Sequence, residues 1–335
     1  MPNDLRLHAI VLSVAAFVAA STAQAQSIKI NINPVPYQSA LFVAAGKGFD
    51  QKNGFKLELV KLAAGAQNTP ALVNGTLNFS SCTLDNIANF TAQGKSVVAI
   101  YKLVERPTLD LVVANKAIPA GLSASSPIEE RMKALRGLRY GISEAGGPSD
   151  VFIRALLLDA GLTPGKDAEI IRLGSIGGLF AGLKSGQIDG YVLSPPSPQQ
   201  AEAAGVGKVL IKISGGEVAS LAKFPSVALC TMADTIAKNP DMVQKFVTAI
   251  QQANDWMRAN KDETVTIGQK LFPNVPVDTW REAVELSLPA ISPNGRFEQA
   301  EVQKAFEVYK NAGATDLIPD IKEGSTWTNR FNQSK

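Results

Sequence analysis

Histidine is the scarcest informative residue in this sequence: His8 is the only one, and it falls in an N-terminal stretch that reads as a removable leader. Beyond that stretch there is no imidazole at all. This excludes Ser-His and Cys-His nucleophile activation and imidazole metal sites. Cysteine is also sparse, with Cys82 and Cys230 alone. The spacing carries no clustered thiol ligands, and no acidic loop of the calcium-binding type occurs, so no dedicated metal site and no cofactor are expected. The two cysteines end strand-like apolar runs and are read as separate buried thiols. Spacing does not fix pairing, so a bridge in an oxidising compartment stays open. Charge of one sign is lacking too: the formal net charge is +3, and the basic residues are scattered. Neither a nucleic acid nor a membrane surface is an expected partner. No apolar run reaches the roughly 20 residues needed to cross a bilayer.

The longest apolar run, Ala9 to Ala20, follows a short polar segment containing Arg6, and Ala23-Gln24-Ala25 fits a small-x-small cleavage site. Residues 1–25 therefore read as a cleavable signal peptide, with a mature, exported protein expected to begin at Gln26. No cysteine lies at that position to carry a lipid anchor. The remaining chain is long enough for two domains.

What is present is a repeat. Leu138 to Ser143 is a short β-type run that leads into the turn Glu144-Ala145-Gly146-Gly147-Pro148. Ser149 then opens a helix whose apolar face is Phe152, Ile153, Leu156, Leu157 and Ala160, with Gly161 stopping it. The same pattern occurs earlier: strand Ile28 to Asn33, turn Pro34 to Ser39, helix face Leu41, Phe42, Ala45 and Phe49, stop at Gly54. Downstream, Gly65 answers to Gly174, and Leu72-Val73-Asn74-Gly75 answers to Leu183-Lys184-Ser185-Gly186. Two similar βαβαβ lobes are implied.

Alternation of strands and helices predicts an α/β fold, each lobe holding a mainly parallel sheet flanked by helices. The second lobe, residues 114–222, is expected as an insertion in a first lobe made of 26–113 and 223–335. Ser226 to Met232 is expected to return as the strand partner of Leu109 to Val113. Two chain crossings permit hinge closure, and a ligand belongs where strand C-ends face the cleft. Those ends are Pro34 to Ser39, Ser80 to Thr83, Ser143 to Ser149 and Ser194 to Pro196. Candidate ligand-binding residues are Tyr37, Gln38 and Ser39 from the first end, and Ser80, Ser81, Cys82 and Thr83 from the second. Ser143, Gly146, Gly147, Ser149 and Ser194 come from the other two. Hydroxyls and helix-start amides there suit an oxyanion without a formal counter-charge, and Tyr37 adds a phenolic donor and an aromatic wall. Arg106, Arg136 and Arg139 are read as solvated charges, Asp85 and Asp150 as first-turn carboxylates that complement helix dipoles.

Several segments resemble the periplasmic solute-binding proteins of ABC importers, in the nitrate, sulfonate, taurine and thiamine-precursor group. They are Ala44-Ala45-Gly46-Lys47-Gly48-Phe49 with Asn53-Gly54-Phe55-Lys56-Leu57-Glu58; Ala71-Leu72-Val73-Asn74-Gly75-Thr76-Leu77-Asn78; Gly182-Leu183-Lys184-Ser185-Gly186-Gln187-Ile188-Asp189; and Leu135-Arg136-Gly137-Leu138-Arg139-Tyr140-Gly141. The resemblance implies the type II periplasmic-binding-protein fold. It also implies a non-catalytic, monomeric periplasmic protein that captures a small organic anion, a sulfonate or carboxylate, and delivers it to an inner-membrane ABC permease. A neutral thiamine-precursor-like pyrimidine is the second ligand reading, and an enzyme on the same fold the third. Many relatives carry an acidic residue before the proline that ends the second-lobe strand. Here that position is Ser194, which implies a ligand with no cationic amine at that end.

Overall fold

The structure is a computed structural model that describes residues 26–62, 67–316 and 318–332. The signal-peptide reading and Gly65 of the repeat lie outside the described residues.

In the first lobe, β1 (Gln26–Ile32) buries Ile28, Ile30 and Ile32 and pairs in parallel with β2 (Phe55–Lys61), placing Ile28 against Leu57 and Ile30 against Leu59. Between them run α1 (Ser39–Gly46) and the short α2 (Phe49–Lys52). Ala40 to Ala44 of α1 are all buried, because α1 is covered on its outer side by α10 (Pro240–Ala259) and α11 (Lys261–Leu271). That explains why its sequence is apolar all round. Next come α3 (Asn68–Val73), β3 (Ser80–Thr83), α4 (Leu84–Ala92) and β4 (Val97–Lys102).

The second lobe contains β5 (Asp110–Ala114), α5 (Ile128–Lys133), β6 (Arg139–Ile142), α6 (Pro148–Asp159), β7 (Glu169–Arg172) and α7 (Ile176–Ser185). It continues through β8 (Gly190–Leu193), α8 (Ser197–Ala203) and β9 (Gly207–Ile211). The chain returns through β10 (Val227–Met232), followed by α9 (Ala233–Lys238), α10, α11, α12 (Val277–Ser287) and α13 (Gln299–Asn311).

The strand order makes the repeat explicit. The second-lobe sheet runs β7-β6-β8-β5-β9. In the first lobe, β2-β1 and β3-β10-β4 are joined by a parallel bridge between Ile30 and Phe79, so the order is β2-β1-β3-β10-β4. Each lobe thus has its second, first and third strands, then an antiparallel strand that has just crossed from the other lobe, then its fourth. The glycines shared by the repeats share a conformation: Gly75 and Gly186 have φ of 80° and 78°, the left-handed helix stop that an L side chain resists.

Two expectations are corrected. Ser226 to Met232 does not pair with Leu109 to Val113: β10 lies between β3 and β4, and β5 lies between β8 and β9. Because β5 sits in the second-lobe sheet, the chain leaves the first sheet within residues 103–109, one strand before the boundary expected at 113. Both strands are apolar and buried along almost their whole length, so they have no polar face to reveal which sheet holds them. The second correction concerns the cysteines, which are bridged rather than separate. They lie on adjacent antiparallel strands, with Cys82 opposite Ala228 and Cys230 opposite Ser80, and their Cα atoms are 6.2 Å apart. That distance falls within the range a disulfide spans. The missed neighbour relation of β3 and β10 and the missed bridge are one error.

Behind the cleft the lobes share a core. Phe152 of α6 meets Phe224 edge-on at 5.5 Å, and Phe224 meets Tyr309 of α13 at 5.2 Å. This aromatic line ties the second lobe, the returning crossing and the C-terminal helix together. Trp280 and Trp327 are buried in the core, and Trp256 packs partly buried against it.

Candidate functional site

Every parallel strand that ends at the cleft passes into a helix, so helix starts converge on one cavity of about 300 Å³ between the lobes. Its wall takes Asn68, Thr69 and Pro70 from the start of α3, Thr83 from the residue before α4, and Gly147, Pro148 and Ser149 from the start of α6. Ile176 opens α7, and Pro196 and Ser197 open α8. The positive ends of α4, α6 and α7 therefore face the space. Among the described residues no Lys, Arg or His lines it, and Glu144 is its only charged side chain.

The first-lobe wall is organised around Ser81, which is 3% exposed. Its hydroxyl oxygen accepts from Asn31 Nδ2 at 2.8 Å and from Gln38 Nε2 at 2.7 Å. Neither amide can be turned around. Asn31 Oδ1 accepts from the Ser81 backbone N–H at 2.9 Å, and Gln38 Oε1 accepts from the Asn33 N–H at 2.6 Å. Both lone pairs of the Ser81 hydroxyl are thus engaged, and its proton remains to be donated. A third amide, Asn68 Nδ2, approaches the same oxygen at 3.5 Å; the hydroxyl donates to none of the described residues, and the side chain borders the cavity. The fold has oriented one donor toward the ligand space. Beside it, Thr69 Oγ1 and Asn68 Oδ1 are buried and lack partners, an unusual state for buried polar atoms. Tyr37 adds its phenol: burial pushes its pKa up to about 12, so at neutral pH it carries its proton.

The second-lobe turn, expected to seat an oxyanion, is already engaged by the chain's own groups. Asp150 Oδ2 accepts from Gly146 N–H at 2.9 Å, and its Oδ1 accepts from Arg154 Nε at 2.6 Å. Ser149 Oγ accepts from Ser143 N–H at 3.0 Å. Ser194 Oγ lies 3.3 Å from Thr108 Oγ1.

Of the expected site residues, Tyr37, Ser81, Cys82, Thr83, Ser143, Gly146, Gly147, Ser149 and Ser194 line the cavity. Gln38, Ser39 and Ser80 do not. Gln38 positions Ser81, Ser80 donates to Asn31 Oδ1 at 3.0 Å, and Ser39 is buried in the first turn of α1 without a partner for its hydroxyl. Arg106 donates to Ser214 O at 2.7 Å, Arg136 pairs with Asp167, and Arg139 forks onto Asp189 at 2.8 and 2.9 Å. None of the three reaches the cavity. Asp150 sits in the first turn of α6 and accepts from the Gly146 N–H just ahead of it. Asp85, in the first turn of α4, is fully buried, keeps one oxygen unpartnered, and is pushed up to about 6 by that burial.

Sequence reasoning missed Asn68, Thr69, Glu144, Asn86, Asn89 and Gln200. The second strand of each lobe, β2 and β7, also ends at the cleft, and the helices after them, α3 and α7, contribute wall residues. Asn68-Thr69-Pro70 is a helix-start signal, with a side-chain amide and a hydroxyl ahead of proline, and it opens α3 at the cavity wall.

The NMT1-like family pattern matches residues 21–269. The chain belongs to the NMT1-like family. A yeast relative from Saccharomyces cerevisiae, the 4-amino-5-hydroxymethyl-2-methylpyrimidine phosphate synthase THI12, is 22% identical over 269 residues, which is 76% of this chain and 69% of that protein. Among solved structures, the periplasmic nitrate-binding protein NrtA of Synechocystis superposes with a TM-score of 0.73 at 18% identity, covering 89% of this chain and 84% of the other. The periplasmic aliphatic sulphonate binding protein SsuA of Escherichia coli gives 0.71 at 18% identity, with 92% and 94% covered. This NMT1-like chain therefore has the periplasmic-binding-protein fold that its sequence resemblance implies.

Proposed function

We propose that this NMT1-like protein is the non-catalytic, periplasmic solute-binding component of an ABC importer. It captures a small organic solute between its lobes and hands it, as a monomer, to an inner-membrane permease. The observation that carries the reading is the Ser81 arrangement at the cavity wall. A hydroxyl with both lone pairs filled and its proton uncommitted is a fixed donor waiting for an acceptor, with Thr69 and Tyr37 beside it. A carboxylate, sulfonate or carbonyl oxygen supplies that acceptor. The cavity volume suits a small molecule, and its wall mixes apolar side chains with a few convergent polar groups, as ligand sites do. An enzyme on this fold, the alternative that the name of the yeast relative raises, would require an acid–base pair converging on the space. The cavity wall offers one carboxylate, Glu144, and beside it only the phenol of Tyr37, which burial keeps protonated, as a titratable group among the described residues.

A thermal-shift screen on protein refolded from denaturant, and so stripped of carried-over solute, tests this. The panel comprises alkyl and aryl sulfonates, carboxylates, nitrate and pyrimidines. A ligand at 100 times its dissociation constant adds about 2.7 kcal/mol, a readily measured shift. Turnover of any hit to a new product would contradict the reading.

A further inference from the structure

We propose that Glu144 sets the chemical class of the solute: its carboxylate selects a molecule with a cationic or strongly hydrogen-bond-donating nitrogen at the end facing the second lobe. The acceptor end of the same molecule meets Ser81. This rests on the capture reading above and adds a second pole to it.

Glu144 is the only charged side chain lining the cavity among the described residues, and its carboxylate has no hydrogen-bond or ion-pair partner among them. It lies against the backbone of Gly147, which has no side chain there. A Cβ added to Gly147, the residue that caps α6, would lie 2.6 Å from Glu144 Oε1 and 2.9 Å from its Cγ. The carboxylate therefore lies over the start of a twelve-residue helix, where an incoming oxyanion would otherwise sit. The second carboxylate there, Asp150, is matched by Arg154. Glu144 has the helix start beneath it but no cationic side chain against it among the described residues. A solute bringing an anionic group to this end meets like charge at short range, whereas an ammonium, amidinium or amino-substituted ring pairs with it.

Closing the lobes sharpens the discrimination, because a carboxylate enclosed without a partner is strongly unfavourable and one enclosed with a cation is not. The first-lobe wall imposes the opposite demand through the Ser81, Thr69 and Tyr37 donors. The favoured solute is bipolar, with acceptor oxygens at one end and a donor nitrogen at the other. This replaces the expectation drawn from Ser194 alone: the acid missing at the end of β8 is supplied to the same cavity from the loop after the neighbouring strand β6.

The test uses matched probes that differ by an amine: taurine against ethanesulfonate, and 4-(aminomethyl)benzoate against 4-methylbenzoate, titrated calorimetrically into refolded wild-type, E144Q and E144D protein. In wild type the amine-bearing member of at least one pair binds 10-fold or more tighter. E144Q loses that preference by weakening the amine-bearing member while leaving its partner as tight or tighter, and E144D keeps its sign. Equal binding of both members to wild type, or a ratio unchanged in E144Q, overturns the role of Glu144 and leaves the capture function standing. Silence of every probe with all three proteins overturns the proposal and the acceptor-end reading with it.

Discussion

Replacing Ser81 with alanine removes one oxygen and strands two buried amides. Asn31 Nδ2 and Gln38 Nε2, 2.8 and 2.7 Å from that oxygen, both lose their acceptor. Both side chains are fully buried. Each buried donor left unpaired costs about 1–3 kcal/mol, so Ser81→Ala should destabilise the protein by roughly 2–6 kcal/mol. The neighbouring Ser80→Ala is the internal control. Ser80 Oγ donates to Asn31 Oδ1, but that oxygen keeps its bond from the Ser81 N–H. The expected loss there is about 1 kcal/mol. Urea unfolding of the two variants beside wild type separates these values. Affinity should separate them again, since the Ser81 proton faces the cavity and Ser80 does not. Ser81→Ala should weaken the best ligand at least about tenfold, equivalent to roughly 1.4 kcal/mol, with Ser80→Ala unchanged. Equal stability loss in both variants, or an unaltered ligand affinity in Ser81→Ala, would refute the donor argument.

Two further outcomes follow from the fold. No thiol should react with maleimide in the denatured, unreduced protein, and two should react after reduction; Cys82 and Cys230 are 148 positions apart in sequence, so reduction should lower stability by about 2–5 kcal/mol, read as a shift of the urea midpoint. Stability should also fall as pH rises through the weakly acidic range. Asp85 and Asp110 are buried, and burial pushes each up to about 6. Their stabilising contribution is complete below the ordinary carboxylate value and lost as pH passes about 6, by up to about 3 kcal/mol per carboxylate. Asp189, held below its ordinary value by Arg139, acts in the opposite sense and only at lower pH. Urea titrations between about pH 4 and pH 7 should show the decline, and Asp85→Asn should flatten part of it; a rise over that interval would contradict the burial of both groups.

The repeat was legible because its markers are backbone requirements. Gly75 and Gly186 hold the same left-handed stop, and such positions survive as glycine whatever packs around them. Strand ends at β1, β3, β6 and β8 were legible for the same reason, as breaks between apolar runs and helix starts. What was not legible is which buried strand neighbours which. β5 and β10 are buried on both faces, even at Asp110 and Thr231, so periodicity says nothing of their partners, and the disulfide disappeared with that information. The turn after β6 illustrates a different limit. Its glycines and serines read as an anion seat, yet Asp150, four residues after Gly146, folds back onto the very amide that a ligand would have taken. Local sequence shows which groups are available; three-dimensional structure shows which are already engaged.

Small-angle scattering of refolded protein, free and saturated with the tightest ligand from the screen, addresses the capture mechanism most directly. The two lobes meet around the cavity and are joined by two crossings, so saturation should draw them together and lower the radius of gyration. A tight ligand that leaves the scattering profile unchanged would contradict capture by closure between the lobes.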